Sequence, residues 1–443
     1  MLLIDSRRML APIISVAGLL VSAQLSASNP IHPDRVDSLL GIEQLQEQVL
    51  SQNAGLDALR AAVLAANAQV LPAGSLDDPQ FSAGIAPHTI GGLERDGRED
   101  RRANLRIEIS QAIPWPGTLE LRRSVAQHEG DAAIQNVAAL RLRLVALTAA
   151  DYAEWVYVDQ ALVINSRNQT LVNELRAVAE NRYAAGLASQ QDVLQAEVEL
   201  QHLKHRDIEL RRLQRVVRTR INALLNRAPE TSLAPPSALP APEPIATDQV
   251  LRRAALAHQP ELAQWRDRIN AQQDREALAA KAFYPDFKVF GGYNSLWDQY
   301  DKRWVVGASI NLPIARNKRR AVLDSARATS EQLDYQLQDA RAILLSALDQ
   351  ARAAAEEASH EIALYESELI PRTRENLSAA RSAYSAGGGA FLEVIVAEQL
   401  QLKAELELER ARADRFAAVA QLTRWVGGVL PAISTEASHT GAK

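Results

Sequence analysis

The chain repeats itself. Arg182-Tyr183-Ala184-Ala185-Gly186 is echoed 201 residues further on by Ala383-Tyr384-Ser385-Ala386-Gly387. At the same spacing Asp192-Val193-Leu194 is echoed by Glu393-Val394-Ile395, and Ala196-Glu197 by Ala397-Glu398. Upstream, Ile107 to Pro114 parallels a segment ending Ser309-Ile310-Asn311-Leu312-Pro313, and Asp78-Pro79-Gln80-Phe81 parallels Tyr284-Pro285-Asp286-Phe287. Between the halves, Pro229 to Pro244 holds six prolines in 16 residues. Such a stretch cannot be helix interior, so it marks the junction. The expected layout is repeat 1 over 24–228, a Pro-rich linker over 229–247, repeat 2 over 248–430 and a tail over 431–443. A chain built twice from one unit constrains its fold more than any composition figure does.

Each half has one order of elements. A helix of about 33 residues (Asp37 to Val70; Asp248 to Ala282) precedes two strands joined by a polar loop. The strands are expected near 79–86 and 103–112, then 286–295 and 303–312. Leu105, Ile107 and Ile109 alternate with Asn104, Arg106 and Glu108; Trp304, Val306, Ala308 and Ile310 alternate with Arg303, Gly307 and Ser309. Phe290 breaks the pattern by falling on the opposite face. Period two with one polar face fits a half-buried strand, and equally the lipid-out, lumen-in strand of an outer-membrane barrel. Tyr293, Trp297, Tyr300 and Trp304 cluster at the second hairpin's tip, where a membrane-interface girdle would lie.

The helices that follow are very long. Pro114 to Gly186 and Pro313 to Gly387 each allow a rod of about 100 Å at 1.5 Å per residue. Leu333, Leu337, Ala340, Leu344, Ala347, Ala351, Ala354 and Ala358 form a 4-3 seam, and Ile343 and Leu348 suggest a second one. A helix with two seams has neighbours on both sides, as in a closed ring. Pro371, inside one rod, should kink or interrupt it.

The first residues read as a targeting segment. Arg7 and Arg8 precede the apolar stretch Met9 to Val21, and small residues follow, so a signal peptide over 1–23 is expected, with cleavage after Ala23 or Ala27. No other apolar run approaches the roughly 20 residues of a membrane helix. A membrane crossing would therefore be by β-barrel. The net charge of -5 argues against nucleic acid, and the absence of cysteine removes disulfides, thiolate nucleophiles and Cys-based zinc sites. No GxxxxGK, HExxH or GxSxG motif occurs, so no enzyme activity, catalytic residue or cofactor is expected. His202 and His205 have helical spacing for one cation, but such a pair more often lies on a solvated face, and no metal site is assigned.

Four strands cannot close a barrel, and open edges do not survive in lipid. Copies must share one. Three copies would give 12 strands above 12 helical columns, wide enough for an aqueous lumen. Counting alone leaves two or four copies open.

The duplicated hairpin-and-rod layout, with the tips Tyr183-Ala184-Ala185-Gly186-Leu187 and Tyr384-Ser385-Ala386-Gly387, resembles the TolC-type outer-membrane efflux factors. The resemblance runs from about Ser38 to Leu430. It implies a mainly α fold with a small β part: a trimeric 12-stranded outer-membrane β-barrel on a periplasmic α-helical barrel. It further implies a passive duct in the outer membrane of a Gram-negative bacterium, working with a periplasmic adaptor and an inner-membrane RND-type pump. Gln111 to Gly117 is similar to the segment after the second strand in heavy-metal-efflux members. The exit duct of a type I protein-secretion system shares this layout, and a periplasmic coiled-coil scaffold or adaptor is the alternative from a different class.

Ala185, Gly186, Leu187, Ala386, Gly387 and Gly388 are the expected adaptor contacts. Gly186 and Gly387 supply positive φ for the turn. Ser189 and Asp192 can cap the next helix. By the resemblance, Glu393, and with it Asp192, would form an acidic gate at the periplasmic mouth.

Overall fold

The structure, a computed structural model, describes residues 39–86, 104–295, 297 and 299–431. The signal segment, the tip of the first hairpin and all but Pro431 of the tail lie outside the described residues.

The helix expected at the start of each repeat is two helices in line. In the first repeat α1 (Ile42–Gln52) and α2 (Ala54–Ala73) meet at Asn53. The Asn53 side chain accepts from the Leu56 N–H and donates to the Leu224 carbonyl, so one residue caps a helix and ties it to a distant segment. In the second repeat α5 (Asp248–His258) and α6 (Pro260–Lys281) meet at Gln259. Pro260 forces the residue before it out of helical geometry, and Gln259 sits at ψ 119°.

The strands are β1 (Gln80–Ala86), β2 (Asn104–Ile113), β3 (Phe287–Asn294) and β4 (Trp304–Ile310). They form one antiparallel sheet in chain order. The two hairpins join through β2 and β3, with Ile107 opposite Tyr293 and Ile113 opposite Phe287. One edge of β1 and one of β4 stay unpaired among the described strands.

The rods are α3 (Thr118–Ala184, 67 residues) and, in the second repeat, α7 (Arg316–Leu364), a π-helical turn Tyr365–Leu369 and α8 (Ile370–Ser385). The π turn is where Pro371 acts. The Ile370 N–H bonds back to the Tyr365 carbonyl, five residues earlier. The widened turn admits the proline ring without breaking the rod. The return helices are α4 (Gln190–Leu224) and α9 (Phe391–Val426). At 1.5 Å per residue α3 is about 100 Å long and α4 about half that.

The seam of α7 departs from the expected one. Leu337 and Leu344 are buried, but the burial then moves to Leu348, Ala355 and Ala358, and Ala354 is exposed. One four-residue step replaces a three-residue step after Leu344. The 4-3 steps then run in the opposite order as far as Ala358, so the phase of the seam changes and its heptad average does not. Ile343, Ala347 and Ala354 are left on another face, which no described helix covers fully.

Two cores hold the helices around the middle of the rods. In the first repeat Ile42, Leu45, Val49, Tyr152, Trp155, Val217 and Ile221 pack together. In the second, Leu251, Leu262, Leu344, Leu348, Leu422 and Val426 do so. The Pro-rich linker is ordered and pinned to the first core. The Leu40 N–H donates to the Pro235 carbonyl and the Leu40 carbonyl accepts from the Ser237 N–H, and the Tyr152 hydroxyl lies 2.9 Å from the carbonyls of Leu40 and Ser237. Contrary to the sequence reading, α3 is long and apolar enough to cross a membrane by length and composition, with a mean hydropathy of 1.2 over 18 residues. Its large apolar side chains Tyr152, Trp155 and Val156 instead lie in the first core.

Candidate functional site

Two faces of the sheet divide by chemistry. One carries Phe81, Ile85, Leu105, Ile109, Phe287, Val289, Trp304, Val306 and Ile310, all exposed. Val306 is 91 % exposed. The other carries Arg106 and Glu108, paired at 2.9 Å, with Lys288 at 4.0 Å from Glu108. Phe290, which broke the alternation, has its ring over Gly307: a Cβ there would meet the Phe290 Cζ at 2.5 Å. A glycine opposite the ring makes room for it on the polar face. An apolar face in full contact with its surroundings, backed by an ion-paired face, is the reverse of a water-soluble sheet.

Aromatic side chains bound the apolar face at both ends. At the hairpin end Tyr293 and Trp304 pair edge-to-face at 5.2 Å. Arg303 joins this group, donating to the Trp297 carbonyl at 2.8 Å and lying 5.8 Å from the Tyr300 ring. At the helix end Trp115 stacks on Tyr284 (4.8 Å) and on Phe287 (5.9 Å), and its backbone N–H donates to the Asp286 carboxylate. This second belt was missed from sequence. Its signal was the odd-numbered run Ile109, Gln111, Ile113, Trp115, which carries the strand's period past its end. From Phe287 to Tyr293 the strand rises about 20 Å at 3.3 Å per residue, the scale of an outer-membrane barrel's apolar band.

At the far end of the rods, the two tips share one turn. The Gly186 φ is +68° and the Gly387 φ is +83°. The Leu187 N–H bonds to the Arg182 carbonyl at 2.8 Å, and the Gly388 N–H to the Ala383 carbonyl at 3.0 Å. This six-to-one closure needs a left-handed residue, which glycine supplies. Ala185, Gly186, Leu187, Ala386, Gly387 and Gly388 are all exposed. Arg182 clamps the tips together: it donates to the Ser385 carbonyl at 3.0 Å and lies 4.8 Å from the Tyr384 ring.

Asp192 and Glu393 are not equivalent in space. Asp192 is half-buried, and its two oxygens accept from Ser189 (2.7 Å) and Tyr384 (3.1 Å). Ser189 stands at the helix N-cap position, yet its hydroxyl serves Asp192 rather than a backbone N–H, so the expected cap bond is absent. Burial raises the Tyr384 hydroxyl above its usual range, and the bond to Asp192 adds to this. Glu393 is exposed in the first turn of α9. His202 and His205 are exposed on α4, with His205 3.5 Å from Glu209. Among the described residues no group of three or more His, Asp or Glu could hold a metal ion.

Toward the tip end of the rods lies a polar layer not singled out in sequence. Glu398 is fully buried, and neither carboxylate oxygen has a hydrogen-bond partner among the described residues. Burial pushes its carboxyl up to about 8; Glu199 adds to the shift, Arg206 opposes it and Glu405 adds a little more. Glu199 accepts from Gln399 at 2.5 Å, and Glu405 is held by Arg167 and Gln401. The only sequence signal was its place in the repeat, opposite Glu197, which is exposed.

Residues 251–428 match the model of the outer membrane efflux protein family. Against curated protein sequences there is no significant match. Among solved structures, the outer-membrane channel OprN aligns with a TM-score of 0.74 at 21 % identity, over 88 % of this chain and 90 % of that one. VceC of Vibrio cholerae aligns with a TM-score of 0.75 at 20 % identity, over 88 % and 97 %. CusC aligns at 0.73 and 17 %, over 88 % and 92 %. Residues 251–428 are thus similar to the outer membrane efflux protein family, and the chain as a whole shares the fold of OprN, VceC and CusC.

Proposed function

We propose that the chain is the outer-membrane channel subunit of a tripartite efflux system. The observation that carries this reading is the sheet: four strands, an exposed apolar face belted by aromatics at both ends, and two unpaired edges. Lipid tolerates no unpaired edge, so neighbouring copies close it. Three copies make 12 strands, enough for a water-filled lumen lined by the Arg106–Glu108 face. The uncovered α7 face with Ile343, Ala347 and Ala354 then meets the next copy in a periplasmic ring of helices. The channel does no chemistry; it conducts what a pump drives into it. The exposed tips, about 100 Å below the sheet, contact a periplasmic adaptor, and an inner-membrane pump of the RND type supplies the driving force. Glu393, exposed beside the turn, is the gate carboxylate. Asp192, held within its own protomer, supports the tip. Heavy-metal cations are the cargo suggested by Gln111 to Gly117.

A soluble scaffold would not display the apolar face. The test is expression of the whole chain in a Gram-negative host, membrane fractionation, and gel analysis without heating. The protein should be found in the outer membrane as an SDS-resistant trimer that conducts ions in a planar bilayer. A water-soluble monomer would refute the reading. A deletion strain tested for sensitivity to zinc, cobalt, copper and dyes decides the cargo.

A further inference from the structure

A cluster of cations sits where the sheet passes into the rods. Arg316, Lys318, Arg319 and Arg320 fall within the first five residues of α7, and its first turn holds no acidic residue. No acidic side chain precedes Asp324 in this helix. Arg316, Lys318 and Arg320 are exposed, and none of the four forms an ion pair with a described carboxylate. Cations at a helix N-terminus are opposed by the macrodipole. Arg319 is held by backbone carbonyls, but Arg316, Lys318 and Arg320 project from the helix start with no carboxylate partner among the described residues.

The cluster is continuous with the apolar face. Ile310, Leu312 and Ile314 are exposed at alternate positions, carrying the lipid-facing pattern out of β4 to within two residues of Arg316. The Arg319 Nε donates to the Ala282 carbonyl at 2.6 Å, two residues before Tyr284 of the inner aromatic belt. Lys281 donates to the Pro116 carbonyl at 3.2 Å, directly beside Trp115. In the first repeat Arg122 and Arg123 are exposed at the matching level, near the start of α3. Cations therefore follow the aromatic belt in both repeats.

We propose that this collar binds the headgroups of anionic phospholipids in the periplasmic-side leaflet of the membrane. The proposal rests on the reading that the sheet lies in the outer membrane. Lipid phosphates just beyond the aromatic belt would lie within reach of flexible Arg and Lys side chains whose apolar stems run along the interface. Arg is suited to phosphate by its fork of donors. The collar would fix the depth of the barrel, with aromatics at the acyl boundary and cations at the headgroups.

The test uses the full-length assembly in lipid nanodiscs, with brominated phosphatidylglycerol or brominated phosphatidylcholine as quencher of tryptophan fluorescence. Trp115 is the reporter, and Trp115→Phe identifies its share. The expected result is tighter association of the anionic lipid by about five-fold, equivalent to one cation near a lipid surface. The preference should fall toward unity in the triple variant Arg316→Gln, Lys318→Gln, Arg320→Gln, and at high salt. Arg212→Gln with Arg215→Gln, on α4, should leave it unchanged. Equal quenching by the two lipids in the parent protein, or a preference untouched by the triple variant, would overturn the proposal. A triple variant that keeps its SDS-resistant assembly while losing the preference supports it. Failure of the parent protein to enter nanodiscs at all would instead refute the membrane reading, and the collar with it.

Discussion

Replacing Glu398 by glutamine removes one ionisable proton from the interior and little else. Glu398 is fully buried with both oxygens unpartnered. Its carboxyl is raised from 4.5 to about 8. In the unfolded chain the group ionises near its ordinary value. Between these two values the folded chain holds a proton that the unfolded chain has released, so stability falls as pH rises. The loss begins near pH 4.5 and is complete above pH 8. At 1.36 kcal/mol per pH unit, the wild type at pH 7 has lost about 3 kcal/mol, and above pH 8 nearly 5. Glu398→Gln keeps the volume and carries no charge, so it escapes this loss. The difference between variant and wild type should be near zero at pH 5 and grow to about 3 kcal/mol at pH 7. Dissociation and unfolding of the assembly, followed by circular dichroism at 222 nm and by unheated gels between pH 5 and 9, provide the measurement. The wild-type transition should fall over this range and the variant should fall less. A difference that does not change with pH would refute the argument, since packing has no titration. A variant that becomes less stable than wild type only at high pH would reverse its sign.

Other outcomes follow from single contacts. Glu393→Ala should raise single-channel conductance or weaken cation preference, because a threefold set of exposed carboxylates at a narrow mouth favours cations; unchanged conductance and selectivity would remove the gate role. Gly307→Val should impair assembly of the barrel, since Phe290 occupies the space the new side chain needs, and Phe290→Ala in the same chain should restore it; absence of rescue would mean the two residues are not coupled. Tyr152→Phe should cost about 1–3 kcal/mol in thermal or urea unfolding, because the carbonyls of Leu40 and Ser237 lose a buried partner. No change would show that the linker is not held there.

Much of the architecture is legible in the residues because it depends on local repetition. A period of two over Leu105, Ile107 and Ile109 dictates a strand whatever it packs against, and tens of residues without a breaker dictate a rod. The echo of Tyr183-Ala184-Ala185-Gly186 at Tyr384-Ser385-Ala386-Gly387 locates both turns, since only glycine takes their positive φ cheaply.

What the repetition could not reveal is where the two halves stop being alike. Glu197 and Glu398 hold matching places in the repeat, yet one is exposed and the other sealed. The difference arises because α9 is packed between α3 on one side and α7 and α8 on the other, while α4 packs chiefly on α3. Asp192 and Glu393 diverge for a similar reason: Tyr384 from the other tip reaches Asp192, and Glu393 points to solvent. The shift of the α7 seam to Leu348 and Ala355 likewise depends on which helix lies alongside. Local pattern determined which elements form and where they turn. Burial, pairing and proton affinity belong to neighbours far apart in the chain, and only the packed helices decide them.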